Sequence, residues 1–314
     1  MPNVSGWKQA ALPLFSAVCL GLLFLGSPDL IQSRSFKHAW DLGHIWAFMA
    51  WSLLLIREWP WLSSGSFRKQ ATIAVLFCLV AGGSVEVAQG AMGRYPSFDD
   101  VGRDIIGCLI AMFFMFPKRL SLDQSLRRLL QAATLVLFLI ALIPVSRAII
   151  DEWTAWRQFP VLADFETPFE LERWSGNAGL SVDESIALSG RASLRIDLNT
   201  DQYSGPALHY FPGNWQGWRW ISFSIYNPDR EPVRLTCKIN DHRHDISGYR
   251  YEDRFNRSLI IKSGWNNIQI PMQDVENAPI DRKMDLKHIT EFNLFTISLP
   301  APRILYLDNL TLEP

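Results

Sequence analysis

Ionisable side chains crowd one point of an otherwise apolar N-terminal half. The stretch GSVEVAQGAMGRYPSFDDVGRDIIGCLIA, Gly83 to Ala111, carries Glu86, Arg94, Asp99, Asp100, Arg103 and Asp104. A second stretch, HAWDLGHIWAF, adds His38, Asp41 and His44. Carboxylates beside a histidine can tune one another's proton affinity, which is what acid–base chemistry requires. Helical spacing sharpens the pattern. Asp41 and His44 are three apart, as are Glu86 and Gln89, and Asp100 and Asp104 are four apart, so each pair is expected on one helix face. Asp41, His44, Glu86, Gln89, Arg94, Asp100 and Asp104 therefore form a candidate polar pocket. Glu86 and His44 lie inside apolar helical patterns, where an ionisable group is costly unless it faces protein or a cavity. For Asp99, Asp100 and Arg103 a plainer role stands beside this one. Such charges can sit in the headgroup layer, Asp100 can cap a helix, and carboxylates suit the positive end of a helix dipole.

The elements that would position these groups are five apolar stretches, at about 9–26, 42–56, 71–90, 103–116 and 129–149. A helix needs roughly 20 apolar residues to cross the hydrocarbon core. The second stretch reaches that length only with Trp40, Asp41 and His44, and the fourth only if it starts near Val101. The first is expected to remain as a span. Cleavage as a signal peptide is the alternative, but no A-x-A-like site follows it. With the N-terminus inside, the inner segments hold Lys8, Arg57, Arg68, Lys69, Lys118, Arg119, Arg127 and Arg128. The outer loops hold Arg34, Lys37, Arg94 and Arg103. The basic excess favours N-inside, and five spans then place the C-terminal half outside the cytoplasm. A re-entrant fourth stretch would reverse that placement.

DLGHIWAF (Asp41–Phe48) resembles the D-x-x-H-x-x-x-F helix start of VanZ-like proteins. EVAQ (Glu86–Gln89), Arg94 and SFDDV with Asp104 and Gly107 resemble the family's E-x-x-Q, R and D-x-x-x-N-x-x-G signature. Asp104 stands where that pattern carries Asn. The resemblance covers roughly residues 10–120 and implies a multi-span envelope protein, not a reaction.

The remaining totals bound the class. The chain has 314 residues, a net charge of −1 and 48% hydrophobic residues, so no basic excess points to nucleic acid. Of four cysteines, Cys19, Cys78 and Cys108 lie in apolar runs and Cys237 stands alone in the polar half, with no CxxC. The expected division is a membrane domain over 1–150, a polar and aromatic linker over 151–160, and a second domain over 161–314.

In that second domain ASLRIDL, RWISFSIYN, PVRLTCKIN, NNIQIPM, FNLFTISL and RILYLDNLTL alternate apolar and polar residues and read as strands. Gly and Pro clusters punctuate them. The expected fold is an α-helical membrane bundle of about five transmembrane helices followed by an all-β antiparallel jelly-roll sandwich. ADFETP, GRASLRIDL, GWNNIQIPMQDV and LYLDNLTLEP resemble jelly-roll carbohydrate-binding modules of the galactose-binding-like group. That resemblance implies a structural calcium held by acids of the first and last strands, here Glu166 and Asp308. Two carboxylates are an incomplete set for an ion that takes six to eight oxygens, so exposed strand-end acids are the alternative.

Sugar binding needs flat aromatic faces and polar groups that pair hydroxyls. Trp215, Trp218 and Trp220 qualify by type, although alternation sends some of them inward. NDHRHDISGYRYEDRFN offers Asp241, His242, His244, Tyr249, Tyr251, Asp253, Arg254 and Asn256. The glycan candidates are Trp215, Trp218, Asp241, His244, Tyr249, Tyr251 and Arg254. A transition-metal site on the two histidines and a hydrogen-bonded network holding a long loop are competing roles for this segment. The leading function is an envelope protein that recognises an envelope glycan or lipid-linked saccharide. The alternatives are a membrane enzyme using the Glu/His/Asp cluster on a lipid-linked substrate, and a structural or protein-interaction role. Neither G-x-S-x-G nor HExxH is present.

Overall fold

The computed structural model describes residues 4–25, 33–91 and 97–314. Two compact units divide the chain, Met1–Ser146 and Arg147–Pro314.

The first unit is helical: α1 (Val4–Leu25), α2 (Arg34–Asp41), α3 (Gly43–Glu58), the short α4 (Pro60–Ser63), α5 (Phe67–Ala91), α6 (Phe98–Ile110) and the part of α7 (Gln124–Gln158) up to Ser146, the rest of α7 belonging to the second unit. A π-helical turn, Ala111–Met115, extends α6. Local chemistry sets the boundaries. The Ser33 hydroxyl accepts from Phe36 N–H at 3.1 Å to cap α2, Pro60 opens α4, and Asp123 Oδ1 accepts from Ser125 N–H at 2.8 Å before α7. Among the described residues, three helices are long and apolar enough to cross a membrane: Arg34–Glu58, Phe67–Ala91 and Gln124–Gln158. A shorter apolar segment, Ala10–Phe24, lies within α1. The fourth expected stretch is α6 with its π turn.

Side-chain amides and an indole stitch the helices together. Trp51 Nε1 donates to the Ser16 carbonyl at 3.2 Å, joining α3 to α1, and Gln131 Nε2 donates to the Phe113 carbonyl at 2.9 Å, joining α7 to the π turn. Phe48, Leu62, Cys78, Cys108, Phe113 and Phe116 form the apolar interior. Gly107 lets α6 approach α3: a Cβ there would stand 2.2 Å from the Ile45 carbonyl oxygen.

The second unit is a two-sheet antiparallel sandwich. Its strands are β1 (Val161–Ala163), β2 (Trp174–Gly176), β3 (Ala178–Asp183), β4 (Ser193–Leu198), β5 (Tyr203–Ser204), β6 (Pro206–Leu208), β7 (Trp220–Asn227), β8 (Val233–Asp241), β9 (Phe255–Ile261), β10 (Gly264–Pro271), β11 (Ile289–Ile297) and β12 (Arg303–Glu313). Two short helices interrupt them, α8 (His242–Ile246) and α9 (Met272–Glu276). One sheet runs β10-β7-β12-β4-β3 with β1 on β12, and the other runs β2-β6-β11-β8-β9 with β5 on β11. From β6 onward the chain crosses repeatedly between the sheets, the connectivity of a jelly roll. Every run expected as a strand is one, because its alternation places one face in the core. On β8, Val233, Leu235, Cys237 and Ile239 are buried, whereas Arg234, Thr236 and Lys238 face the other way. Phe223 of β7 meets Phe292 of β11 edge to face at 5.3 Å across the two sheets.

Residues 151–158, expected within a linker, are instead the last turns of α7. Their polar and aromatic composition hides a buried contact. Arg173 Nε donates to both Asp151 oxygens at 2.9 and 3.0 Å, and both residues are about 1% exposed.

Candidate functional site

Four of the expected polar residues of the helical unit converge. His44 lies at the start of α3, Glu86 in the last turns of α5, and Asp100 and Asp104 on the first turns of α6. His44 Nδ1 bonds Asp104 Oδ1 at 2.9 Å, with His44 5% and Asp104 0% exposed. On its other side, His44 Nε2 lies 3.9 Å from Asp100 Oδ2. Arg103 donates to Asp100 Oδ1. Glu86 Oε2 accepts the Ser97 N–H at 2.6 Å, while Glu86 Oε1 and Asp104 Oδ2 are buried with no hydrogen-bond partner among the described residues. Gly82 makes room for Asp104, since a Cβ there would fall 2.5 Å from Asp104 Oδ2. One ligand atom from each of His44, Glu86 and Asp100 lies within 4.8 Å of the others.

The other members of the expected pocket are placed differently. Asp41 ends α2, and Leu42, itself in right-handed helical geometry, is the single residue between it and α3. Its carboxylate pairs instead with His38 Nδ1 at 3.9 Å. Gln89 is spent on packing: its Nε2 donates to the Leu23 carbonyl of α1 at 2.9 Å. Ser97, not Asp100, holds the N-cap position of α6. Arg94 lies outside the described residues.

In the sandwich, three expected sugar contacts are interior. Trp215 is fully buried, its Nε1 donating to the Pro212 carbonyl at 3.2 Å. Asp241 is fully buried and caps α8 by accepting the His244 N–H at 3.0 Å. His244 is also fully buried, with its ring edge-on to Tyr249 at 5.6 Å. Asp241 is held by Arg282, a residue the sequence reading passed over. Its guanidinium bonds both Asp241 oxygens at 2.6 and 2.8 Å and both Asp253 oxygens at 2.6 and 3.0 Å, tying down the loop after β8. Burial pushes the Asp241 carboxyl up, but Arg282 and two backbone N–H groups outweigh it and hold the group below its ordinary value. Arg282 likewise lowers Asp253. The competing role for this segment, a hydrogen-bonded loop network, is what the geometry shows. Burial, with Lys238 and Arg254 nearby, lowers the His244 pKa. Among the described residues, no group of three metal-binding side chains includes His242 or His244.

Trp218 is half-buried against Phe159 and, with Trp220, lines a cleft of about 870 Å³ that also holds Arg219, Asp274, Asp285 and Lys287. Tyr249 and Tyr251 are exposed, and the Arg254 guanidinium lies 5.2 Å from the Tyr251 ring centre.

A second depression lies on the outward face of the β2-β6-β11-β8-β9 sheet. It measures about 400 Å³ and is lined by Gly176, Asn177, Tyr203, Ser204, Gly205, Lys238, Arg254, Asn293 and Phe295. Tyr203 and Phe295 meet edge to face at 5.7 Å. Lys238 Nζ donates to the Glu291 oxygens at 3.0 and 3.1 Å, and Asn293 Nδ2 donates to Glu291 Oε1 at 2.9 Å. Among the described residues, Asn293 Oδ1, Arg254 Nε and Asn256 Oδ1 are buried without hydrogen-bond partners. Apolar ring faces beside unspent donors and acceptors suit a polyhydroxylated ligand. Of these residues only Arg254 was expected. Lys238, Asn293 and Phe295 occupy outward positions of two alternating strands, a signal visible in PVRLTCKIN and FNLFTISL once those strands are known to be neighbours.

Glu166 and Asp308 both bind the segment that leads into β4. Asp308 Oδ2 accepts N–H groups of Leu188 and Ser189 at 2.8 and 3.1 Å, and Oδ1 accepts that of Asn309 at 2.7 Å. Glu166 Oε1 accepts those of Arg191 and Ala192 at 2.6 and 2.9 Å. These N–H donors engage Glu166 Oε1 and both Asp308 oxygens, while Glu166 Oε2 lies 3.6 Å from Arg191 Nε.

No family model matches the chain, the VanZ-like model included, and no curated protein matches it. Solved structures resemble its sandwich. One is a family 11 carbohydrate-binding module from Clostridium thermocellum in complex with a β-1,3-1,4-mixed-linked tetrasaccharide, 20% identical with a TM-score of 0.36, covering 49% of this chain and 94% of that one. Another is an exo-β-agarase, 16% identical with a TM-score of 0.39, covering 49% of this chain and 24% of that one. A third is a family 30 carbohydrate-binding module of a Clostridium thermocellum cellulosomal cellulase, 15% identical with a TM-score of 0.32, covering 44% of this chain and 90% of that one. Similarity at this level identifies no ligand.

Proposed function

We propose that the protein is a membrane-anchored glycan-recognition protein whose sandwich binds an envelope saccharide in the depression beside Tyr203 and Phe295. The observation that carries this reading is the set of unspent polar atoms there, Asn293 Oδ1 and Arg254 Nε, next to an exposed aromatic ring. Buried polar atoms without partners cost free energy, and ligand hydroxyls would satisfy them. The test is a glycan array probed with the detergent-purified full chain. Retention of a glycan class, lost in Asn293→Ala and Tyr203→Ala with unchanged circular dichroism, is the expected result. Retention that survives both substitutions refutes this site, and an array with no retained glycan refutes the function.

The membrane anchor is part of the proposal. Leu129, Leu135, Val136, Leu139, Ile140 and Ile143 of α7 are exposed, an apolar surface that water would not favour and acyl chains would. With α1, α2–α3, α5, α6 and α7 as spans, the basic-residue bias puts the N-terminus inside and the sandwich outside the cytoplasm. A periplasm-type reporter fused after Pro314 should be active. Activity of a cytoplasmic reporter alone would reverse the orientation.

A second reading rests on the buried His44–Asp104 pair. A histidine held in one tautomer by a carboxylate is equipped for acid–base work on a lipid-linked substrate. Glu86→Gln should then abolish the envelope phenotype at normal abundance, and a full phenotype would exclude this reading.

A further inference from the structure

We propose that His44, Glu86 and Asp100 hold a divalent transition-metal ion, with Asp104 orienting the histidine. Three helices supply the ligands: α3 gives the imidazole, α5 one carboxylate and α6 the other. One atom of each already lies within 4.8 Å of the others. Zinc–nitrogen and zinc–oxygen bonds of about 2.0–2.2 Å put tetrahedral ligand atoms roughly 3.4 Å apart. Side-chain rotations of about an ångström therefore close the site.

Each ligand has its other atoms engaged in a way that leaves one free for the ion. His44 Nδ1 is bonded to Asp104 Oδ1 at 2.9 Å, so Nε2 is the nitrogen that faces Asp100, 3.9 Å away. A carboxylate on the far nitrogen of a metal-bound histidine fixes its tautomer and raises its basicity. Asp100 Oδ1 takes the Arg103 guanidinium, leaving Oδ2. Glu86 Oε2 takes the Ser97 N–H, leaving Oε1. Glu86 is only 6% exposed and, among the described residues, its Oε1 has no hydrogen-bond partner. That orphan oxygen is an observation independent of the clustering, because an unpaired buried carboxylate oxygen calls for a cation or a donor.

Charge and ligand chemistry agree. Among the described residues, Glu86, Asp100 and Asp104 face Arg103 and His44, so a dication offsets a surplus of carboxylate. One imidazole nitrogen with two carboxylate oxygens suits zinc or manganese, whereas calcium wants more oxygens. Three protein ligands leave a fourth position for water or a substrate oxygen, the arrangement of a Lewis-acid site.

The test uses full-length protein in detergent, stripped with chelator and titrated with Zn2+, Mn2+ and Co2+. Elemental analysis should find one ion per chain, and the cobalt form should show visible absorption of a low-coordinate nitrogen–oxygen site. Glu86→Gln and His44→Gln should lose the ion while keeping their gel-filtration profile. Asp104→Asn should keep the stoichiometry and weaken affinity about 10–100-fold. Wild-type protein that retains none of the three ions overturns the proposal, as does an unchanged cobalt spectrum in Glu86→Gln and His44→Gln. If those two variants fail to fold, the Asp104→Asn titration decides, and unaltered affinity there refutes the site.

Discussion

Gly107 of α6 lies directly against the backbone of Ile45 on α3, where an added Cβ would stand 2.2 Å from a carbonyl oxygen and 2.9 Å from the Met49 nitrogen. Neither neighbour is a flexible side-chain tip, so one methyl must push two helices apart. This closeness sits one turn from Asp104 and therefore sets the His44–Asp104 distance. Gly107→Ala should destabilise the helical unit by about 2–3 kcal/mol, in line with overpacking elsewhere. Thermal melting of the full chain in detergent reads this, and an unchanged midpoint would mean the helices are further apart than described.

Arg282 is the second pressure point. Replacing it with Met leaves Asp241, fully buried, and Asp253, 4% exposed, without their cation. Removing one partner of a buried ion pair costs about 3–5 kcal/mol, and the lower figure applies because Arg282 is partly exposed. Hydrogen exchange should show the loop after β8 opening first. Protection equal to wild type would contradict the clamp.

The same clamp fixes a pH dependence. Both carboxyls are held below their ordinary values, so their stabilising contribution is full above the unfolded value, about 3.9. It is lost only as pH falls through the lower folded values. Loop stability in the wild type should thus persist to about pH 4 and fall below it. Asp308 runs the other way. Burial raises its pKa against three backbone N–H bonds, so its contribution weakens as pH rises from the unfolded value through the folded one. Acid titration of wild type and Arg282→Met, followed by exchange in each loop, separates the two. A wild-type loop that loosens already between pH 7 and 5 would refute the assignment.

Calcium should leave the sandwich indifferent. Backbone N–H groups already occupy Glu166 Oε1 and both oxygens of Asp308. Melting curves in calcium and in chelator should coincide. A midpoint that climbs with calcium concentration would show that the ion displaces these donors, since a native-state ligand stabilises by linkage.

Cys237 offers a reporter for global unfolding. It is fully buried on β8, and burial pushes its thiol above the ordinary value, so thiolate is scarce. A maleimide should label it only at denaturant concentrations that unfold the sandwich. Rapid labelling of native protein would mean that β8 opens locally.

Period-two alternation was enough to read the strands, because one buried and one solvated face leave that imprint on any half-buried strand. The apolar runs of the N-terminal half were legible for a similar reason: their length and composition are local properties. Alternation cannot say which strands become neighbours. Lys238 and Glu291 are 53 residues apart and meet only because β8 pairs with β11. Trp215 and Trp218 looked alike in one turn-rich segment, yet one fills the core and the other lines a cleft. Asp241 looked like an accessible polar group, yet it is buried and bonded to Arg282, from a loop 41 residues further along the chain. In the helical unit the chemistry-bearing types were evident, but their partners were not: the Asp41 carboxylate meets His38 at 3.9 Å. His44 found its partner 60 residues away in Asp104, through a helix approach that a glycine permits. Local periodicity determines which way a side chain points, whereas long-range packing decides what it meets there.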